Sequence, residues 1–272
     1  MVRSLWTAAT GMIAQQVNVD TIANNLANVN TTGYKTEVNE FKSLLYQNIQ
    51  DRTTRADGSP KPIGAQVGLG VRNASITSIF REGNYYESAS ESAMAIEGRG
   101  FFAVQGADGN IYYTRNGDLR WTIGLNGTNM LATSDGYPVL DSRGNPITLS
   151  QEYIVSNITV SADGEICYPD VKNNAEGLGI YVGLYQFNNP AGLEKTSSTL
   201  FRESDASGPV INEATNNDVK KSSVIQGYLE GSNVQIVDEM VNMIVAQRAY
   251  EMNSKAITAS DEMLQQANNL RR

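Results

Sequence analysis

The chain has 272 residues, 40% hydrophobic and 18% charged, enough apolar surface to bury a core in one large or two smaller domains. With 21 Lys and Arg against 29 Asp and Glu, its formal charge of -8 has the wrong sign for a phosphate-tracking surface, so no nucleic-acid partner is expected. Histidine is absent, which removes Ser-His-Asp triads, His general bases and His-ligated zinc, and the single Cys167 has no mate for an internal disulfide.

From Leu5 to Val29 the sequence contains no Pro and one Gly, and apolar or small residues recur every three to four positions. Leu5, Met12, Val19 and Leu26 occupy one heptad position, and Ala8, Gln15, Ile22 and Val29 the other, which predicts an amphipathic helix with a narrow seam. Gly33 is placed for a left-handed residue after the last turn, with Tyr34 returning onto Val29 as in a Schellman cap. Asn24, Asn25 and Asn28 are mediocre helix formers within this segment. They are either solvated or, since Asn24 and Asn28 lie one turn apart, a face that hydrogen-bonds a neighbouring chain. The opening Met1-Val2-Arg3-Ser4-Leu5-Trp6 lacks the apolar block of a cleaved secretory signal, and no run is long and apolar enough to span a membrane.

The stretch from Asp51 to Gly70, with Pro60, Pro62 and several Gly, reads as an extended arm, and a loop of that length is functional or flexible. Turn dipeptides follow at Asp108-Gly109, Asn116-Gly117, Asn126-Gly127, Asp135-Gly136, Arg143-Gly144 and Asp163-Gly164. Their spacing, between runs rich in Val, Ile, Tyr, Phe and Thr, predicts a mostly antiparallel β domain. The clearest strands are Phe101–Val104, Ile111–Thr114 and Ile180–Tyr185. Gly68-Leu69-Gly70 and Gly98-Arg99-Gly100 do not complete a phosphate loop, and no Asp-Gly turn carries the ligand alternation of a Ca²⁺ loop. No catalytic, cofactor-binding or metal-binding residue is predicted, and no small-molecule substrate.

At the other end Ser232 and Gln235 have capping-box spacing, followed by Ile236, Met243, Tyr250, Ile257 and Leu264 at strict seven-residue intervals. Val237, Met240 and Ile244 widen this seam, and Tyr250 is a large filler whose hydroxyl needs a partner. Two long helices with stripes this narrow bury too little to be secure alone, so both look built for packing between subunits. A non-closing contact of that kind yields a filament. An intramolecular stalk and a closed oligomer are the alternatives.

Three blocks carry a resemblance. Ala23-Asn24-Asn25-Leu26-Ala27-Asn28 with Thr32-Gly33-Tyr34-Lys35 resembles the signature of bacterial flagellar rod and hook axial proteins. Gly98–Val104 with Tyr113-Thr114-Arg115-Asn116-Gly117 is similar to that family's middle motif. Gln226-Gly227-Tyr228-Leu229-Glu230-Gly231-Ser232-Asn233-Val234, with the segments around Glu239 and Gln247–Glu251, is similar to its end motif. Within the family the length, the opening residues and the insertion at about 48–70 resemble the distal-rod type most.

The resemblance implies an α+β fold in which terminal helices (residues 1–35 and 231–272) pair as a coiled coil lining an inner tube. Connectors (36–75 and 211–230) lead to a central, mostly antiparallel β domain (76–210). It implies a structural, non-enzymatic axial component without cofactor, polymerising with itself into the distal rod that transmits torque to the hook and encloses the export channel. Proximal-rod proteins would lie below, hook protein above, the bushing rings of the envelope around it, and the type III export apparatus would deliver it uncleaved to the periplasm. The assembly interface is then Leu5, Met12, Val19, Leu26, Asn24, Asn25, Asn28, Ile236, Met240, Met243, Tyr250, Ile257 and Leu264, and the rod-specific arm carries Asp51, Pro60, Pro62 and Gly70. A proximal-rod or hook-type protein is the nearest alternative, and a periplasmic cell-wall-binding or carbohydrate-acting protein the alternative of another class.

Overall fold

The computed structural model describes residues 2–50, 65–124, 127–170, 174–216 and 218–270. Asp51, Pro60 and Pro62 of the expected arm lie outside the described residues. Two compact units emerge, one of Met1–Ala27, Glu37–Thr77 and Gln235–Arg272, the other of Asn28–Thr36 and Ser78–Val234. The short segment 28–36, expected at the end of the first helical region and the start of its connector, thus groups with the β-rich unit, while 37–77 groups with the helices.

The first unit holds helix α1 (Val2–Ala27) and helix α2 (Ile236–Asn269), with two antiparallel ribbons. Strand Glu37–Ser43 pairs with Val71–Ser78, and Tyr46–Gln50 pairs with Ala65–Gly68 in a register that sets Tyr46 opposite Gly68. Within the stretch expected as an arm, Ala65–Gly68 is therefore strand and not loop. Gly70 anchors that ribbon: its φ is +113°, and a Cβ there would fall 2.1 Å from the Thr10 hydroxyl oxygen on α1.

The predicted capping box does not form. Helix α2 starts at Ile236 with Gln235 as an N-cap that makes no side-chain cap bond, and the Ser232 hydroxyl accepts instead from Val234 N–H at 3.3 Å. A serine that closes its own local turn is unavailable to a helix starting later.

The second unit is antiparallel. A six-stranded sheet runs Glu194–Lys195, Leu200–Arg202, Ile111–Thr114, Phe101–Gln105, Leu184–Gln186 and Ile211–Asn212. Alternation along its central strand divides the core. Phe102 and Val104 join Met94, Ile96, Leu119, Leu131, Val139 and Ile166, while Phe101 and Ala103 join an aromatic cluster of Tyr113, Tyr185, Phe187 and Phe201 on the other face. Two three-stranded sheets, built on Asn129–Thr133 and Glu165–Pro169, extend the first core.

The strand expected over Ile180–Tyr185 is in fact two. Ala175–Tyr181 ends in one sheet, and Leu184–Gln186 begins in the six-stranded sheet. Between them Gly183 N–H donates to Leu140 C=O at 3.0 Å, and the carbonyls of Leu140 and Asp141 both come within 2.8 Å of where a Cβ would stand. The continuous apolar run conceals a switch between sheets.

Candidate assembly site

Helices α1 and α2 run antiparallel. Ser4 Oγ lies 3.3 Å from Ser260 Oγ, a Cβ on Gly11 would reach 2.8 Å from the Asn253 amide nitrogen, and Asn25 hydrogen-bonds the Glu239 carboxylate. The line of closest approach thus passes through Ser4, Gly11 and Asn25, one residue before Leu5, Met12 and Leu26. The buried side chains of α1 are Ala8, Ala14, Thr21, Ile22 and Asn25, and those of α2 are Glu239, Ala246 and Ser260, small or polar groups apart from Ile22. Of the predicted apolar positions Ala8 and Ile22 are buried, while Leu5, Met12, Val19 and Leu26 are each only half-buried.

On α2 the predicted residues divide. Met243, Ile257 and Leu264 are half-buried, whereas Ile236, Met240 and Tyr250 are exposed. Val237, Val241, Ile244 and Val245 are exposed as well, and Val237, Val241 and Val245 recur at four-residue intervals, giving an apolar row along one helix face. On α1, Trp6 and Ile13 are 68% and 64% exposed. Val19 and Tyr250 line one groove of about 420 Å³ with Gln16, Gln247 and Glu251.

The three asparagines are used within the chain. Asn25, 1% exposed, donates to Glu37 C=O at 2.8 Å and accepts from Glu37 N–H at 2.9 Å, pinning the following strand to α1. Asn24 donates to the Glu37 carboxylate at 3.1 Å, and Asn28 accepts from the Thr31 hydroxyl at 3.1 Å. Burial pushes the Glu239 carboxyl above its ordinary value, opposed by the Asn25 hydrogen bond.

The β-rich unit contains a junction that the sequence reading missed. Lys35 Nζ lies 2.6 Å from Glu230 Oε1 and donates to Arg81 C=O at 2.8 Å. Arg115 reaches Glu230 Oε2 at 3.2 Å and also donates to the carbonyls of Ile96 and Gly98, with its guanidinium 5.5 Å over the Phe101 ring. Gly83 N–H completes the carboxylate's shell at 3.0 Å. Lys35 and Glu230 are fully buried and Arg115 nearly so, and burial outweighs Glu230 in holding the Lys35 ammonium below its ordinary pKa. Burial together with Glu82 and Glu230 pushes the Tyr85 phenol up to about 12, so at neutral pH it remains a donor, to Ile96 C=O at 3.1 Å.

The same junction explains Gly33. The Schellman return does not form, because α1 ends at Ala27 and Gly33 N–H donates to Glu230 C=O at 2.8 Å instead. Its φ of +71° is left-handed as expected, and a Cβ would sit 2.6 Å from Asn116 N. Tyr34 is fully buried, with Lys195 Nζ 4.8 Å over its ring. Nearby, Asn233 satisfies its whole amide, accepting from Thr36 N–H and its hydroxyl at 2.7 Å each and donating to Ile79 and Arg81 carbonyls. Lys35, Arg115 and Glu230 each belong to a different motif block. Their presence inside those blocks was the one available signal.

Those blocks coincide with described families. Residues 5–35 match the family described as flagella basal body rod protein, 95–168 the D1 domain of flagellar hook protein FlgE/F/G, and 225–270 the C-terminal region of flagellar basal body rod FlgEFG protein. The chain belongs to this flagellar basal-body rod family, whose members are structural proteins of the basal body. Among its relatives, flagellar basal-body rod protein FlgG of Borreliella burgdorferi is 45% identical over 100% of both chains. The FlgG proteins of Buchnera aphidicola subsp. Acyrthosiphon pisum and Agrobacterium fabrum are 39% and 40% identical, covering 99% and 96% of this chain and 100% and 96% of their own.

Proposed function

We propose that this chain polymerises into the distal part of the flagellar rod, a helical homopolymer that transmits torque outward and encloses the export channel. Residues 1–35 and 231–272 form the coiled-coil wall of the inner tube, 36–75 and 211–230 the connectors, and 76–210 the outer β domain. Proximal-rod proteins lie below it, hook protein above, and the envelope's bushing rings around it, after uncleaved delivery by the type III export apparatus to the periplasm. The observation that carries this reading is the placement of apolar side chains on the helix pair. Apart from Ile22, the buried side chains of α1 and α2 are small or polar, whereas Ile236, Val237, Met240, Val241, Ile244 and Val245 are left open to water.

A protomer that exposes this much aliphatic surface on one helix is incomplete, since such surface is stabilised only by burial against another chain. Leu5, Met12, Val19, Leu26, Met243, Ile257 and Leu264 are half-covered already, so a neighbour completes their burial. Each large side chain buried fully contributes roughly 1.5–3 kcal/mol.

Electron microscopy of the full chain with rising concentration tests the proposal, beside a Val241→Ser/Ile244→Ser variant. Filaments or tubes are expected from the first and not the second. Equal polymerisation of both would remove the α2 row from the interface.

A further inference from the structure

Charge is scarce on α1, whose charged side chains are Arg3 and Asp20, both exposed. On α2, Arg248 and Glu251 pair with each other, and Glu239 is buried against Asn25. Among the described residues of α2 this leaves Lys255 as the cation outside an ion pair, with Asp238, Asp261 and Glu262 as the acids. Within one copy Asp20 does not meet Lys255. The helices are antiparallel, with Asn25 beside Glu239 and Gly11 beside Asn253, so Asp20 lies between those two levels and Lys255 beyond the second.

A second copy satisfies both charges of α1 at once. Seventeen residues separate Arg3 from Asp20, and seventeen separate Asp238 from Lys255, with the signs reversed. An α1 laid parallel to the α2 of another copy, with Asp20 level with Lys255, therefore sets Arg3 level with Asp238. The same register sets Trp6 level with Val241. Trp6, Ile13 and Asp20 recur at heptad spacing, as do Val241, Arg248 and Lys255, so a knob at Trp6 enters the hole between Val237, Met240, Val241 and Ile244, all exposed. Ile13 falls beside Ile244 and the aliphatic stem of Arg248. The antiparallel alternative with the same Asp20–Lys255 pair would set Trp6 against Asn269 and Ile13 against Glu262, leaving both apolar surfaces in water.

Because α1 and α2 are antiparallel within a copy, a parallel α1–α2 contact between copies relates them by a two-fold axis across the helices. The contact is then made twice and closes. A helical filament repeats a single polarity, so such a dimer is not a step of it and instead occupies the α2 row that polymerisation needs. We infer that the unassembled chain forms a two-fold dimer, held in register by Asp20–Lys255 and Arg3–Asp238, in which Trp6 of each copy covers the α2 row of the other. Exposed ion pairs fix the register more than the affinity, which comes from the apolar row. The dimer stands on the charges and the exposed row alone, and its role as a brake on polymerisation rests on the self-assembly proposed above.

The full chain carrying Cys167→Ser, Asp20→Cys and Lys255→Cys, treated at micromolar concentration with a short bismaleimide, provides the first test. A covalent dimer without larger species is expected, because a two-fold contact closes. A ladder of higher species would overturn the inference, as would the absence of cross-links while both introduced cysteines react with a monofunctional maleimide. Sedimentation of chains that keep Cys167 provides the second. Asp20→Lys should raise the dimer dissociation constant at least tenfold, and Asp20→Lys/Lys255→Asp should return it to within threefold of the parent. A monomeric parent, an unchanged Asp20→Lys dimer or no recovery on exchange would each overturn the pairing. In polymerisation followed by light scattering, Asp20→Lys should shorten the lag. Failure of every chain to polymerise would remove the brake and the rod reading together and leave the dimer standing.

Discussion

Lys35 and Glu230 are joined by a 2.6 Å ion pair between side chains that are both completely buried, although 195 residues separate them in sequence. Burying two charges is expensive, and the geometry here offsets that by giving each oxygen of the carboxylate a cation and adding the Gly83 N–H. Removing one partner leaves the other charge without compensation. Lys35→Met is therefore expected to lower the unfolding free energy of the β-rich unit by about 3–5 kcal/mol. Urea denaturation followed by near-ultraviolet dichroism measures it. A loss near zero would mean that Arg115 alone holds Glu230.

Gly33 illustrates a separate constraint at the same junction. Its left-handed backbone and the approach of Asn116 N leave no space for a methyl group. Gly33→Ala should cost more than the ~1 kcal/mol that a left-handed conformation alone imposes, because the Arg115–Asn116 backbone would also have to retreat. The prediction is checked by the drop in thermal midpoint against Gly109→Ala. That glycine has a similar φ of +79° with nothing near the added carbon, so its drop should be the smaller.

Both helices were legible because their apolar residues recur at heptad spacing over many turns, and the strands Phe101–Gln105 and Ile111–Thr114 because short β-rich runs lie between turn signals. The face that each helix turns to the other was legible only in part, through Ala8 and Ile22 of the second heptad position, which are buried. Leu5, Met12 and Leu26 dominate the pattern, but Ser4, Gly11 and Asn25 allow the closer approach, and periodicity cannot distinguish an internal contact from an external one. The Ser232 cap failed because a local turn competes for its hydroxyl, and the run at Ile180–Tyr185 concealed a sheet switch that only long-range pairing determines. The Lys35–Arg115–Glu230 junction left no trace beyond the place of each residue in a motif block, since a buried charge reads like a surface one until its partner is known.

Glu239 carries a pH dependence whose sign follows from burial. Its folded carboxyl titrates above the ordinary 4.5, so its contribution to stability is fully present below that value and is lost as pH rises through the folded pKa. Glu239→Gln retains a hydrogen-bonding partner for Asn25 and removes the buried charge. Thermal melts should show the variant more stable than the parent at pH 7, with the difference vanishing near pH 4. A variant less stable at neutral pH would mean that the ionised carboxylate is held by more than Asn25.

Asn25 bears on whether the helical unit depends on its polar contacts or on its apolar seam. Its amide makes two backbone hydrogen bonds to Glu37 and a third contact with Glu239, so Asn25→Ala leaves a part-buried N–H, a part-buried C=O and the Glu239 carboxyl without that partner. With each orphaned group costing about 1–3 kcal/mol, the substitution should release the strand after α1 and destabilise the helical unit severely. Met243→Ala, by contrast, truncates a side chain only half-buried in the protomer, and should leave the single chain near its parental stability while impairing polymerisation. Hydrogen exchange at Glu37 and Val38 separates the two cases. Fast exchange there in Asn25→Ala and parental exchange in Met243→Ala are the expected pair. The reverse would mean that the heptad residues hold the protomer together and that the interface between copies lies elsewhere.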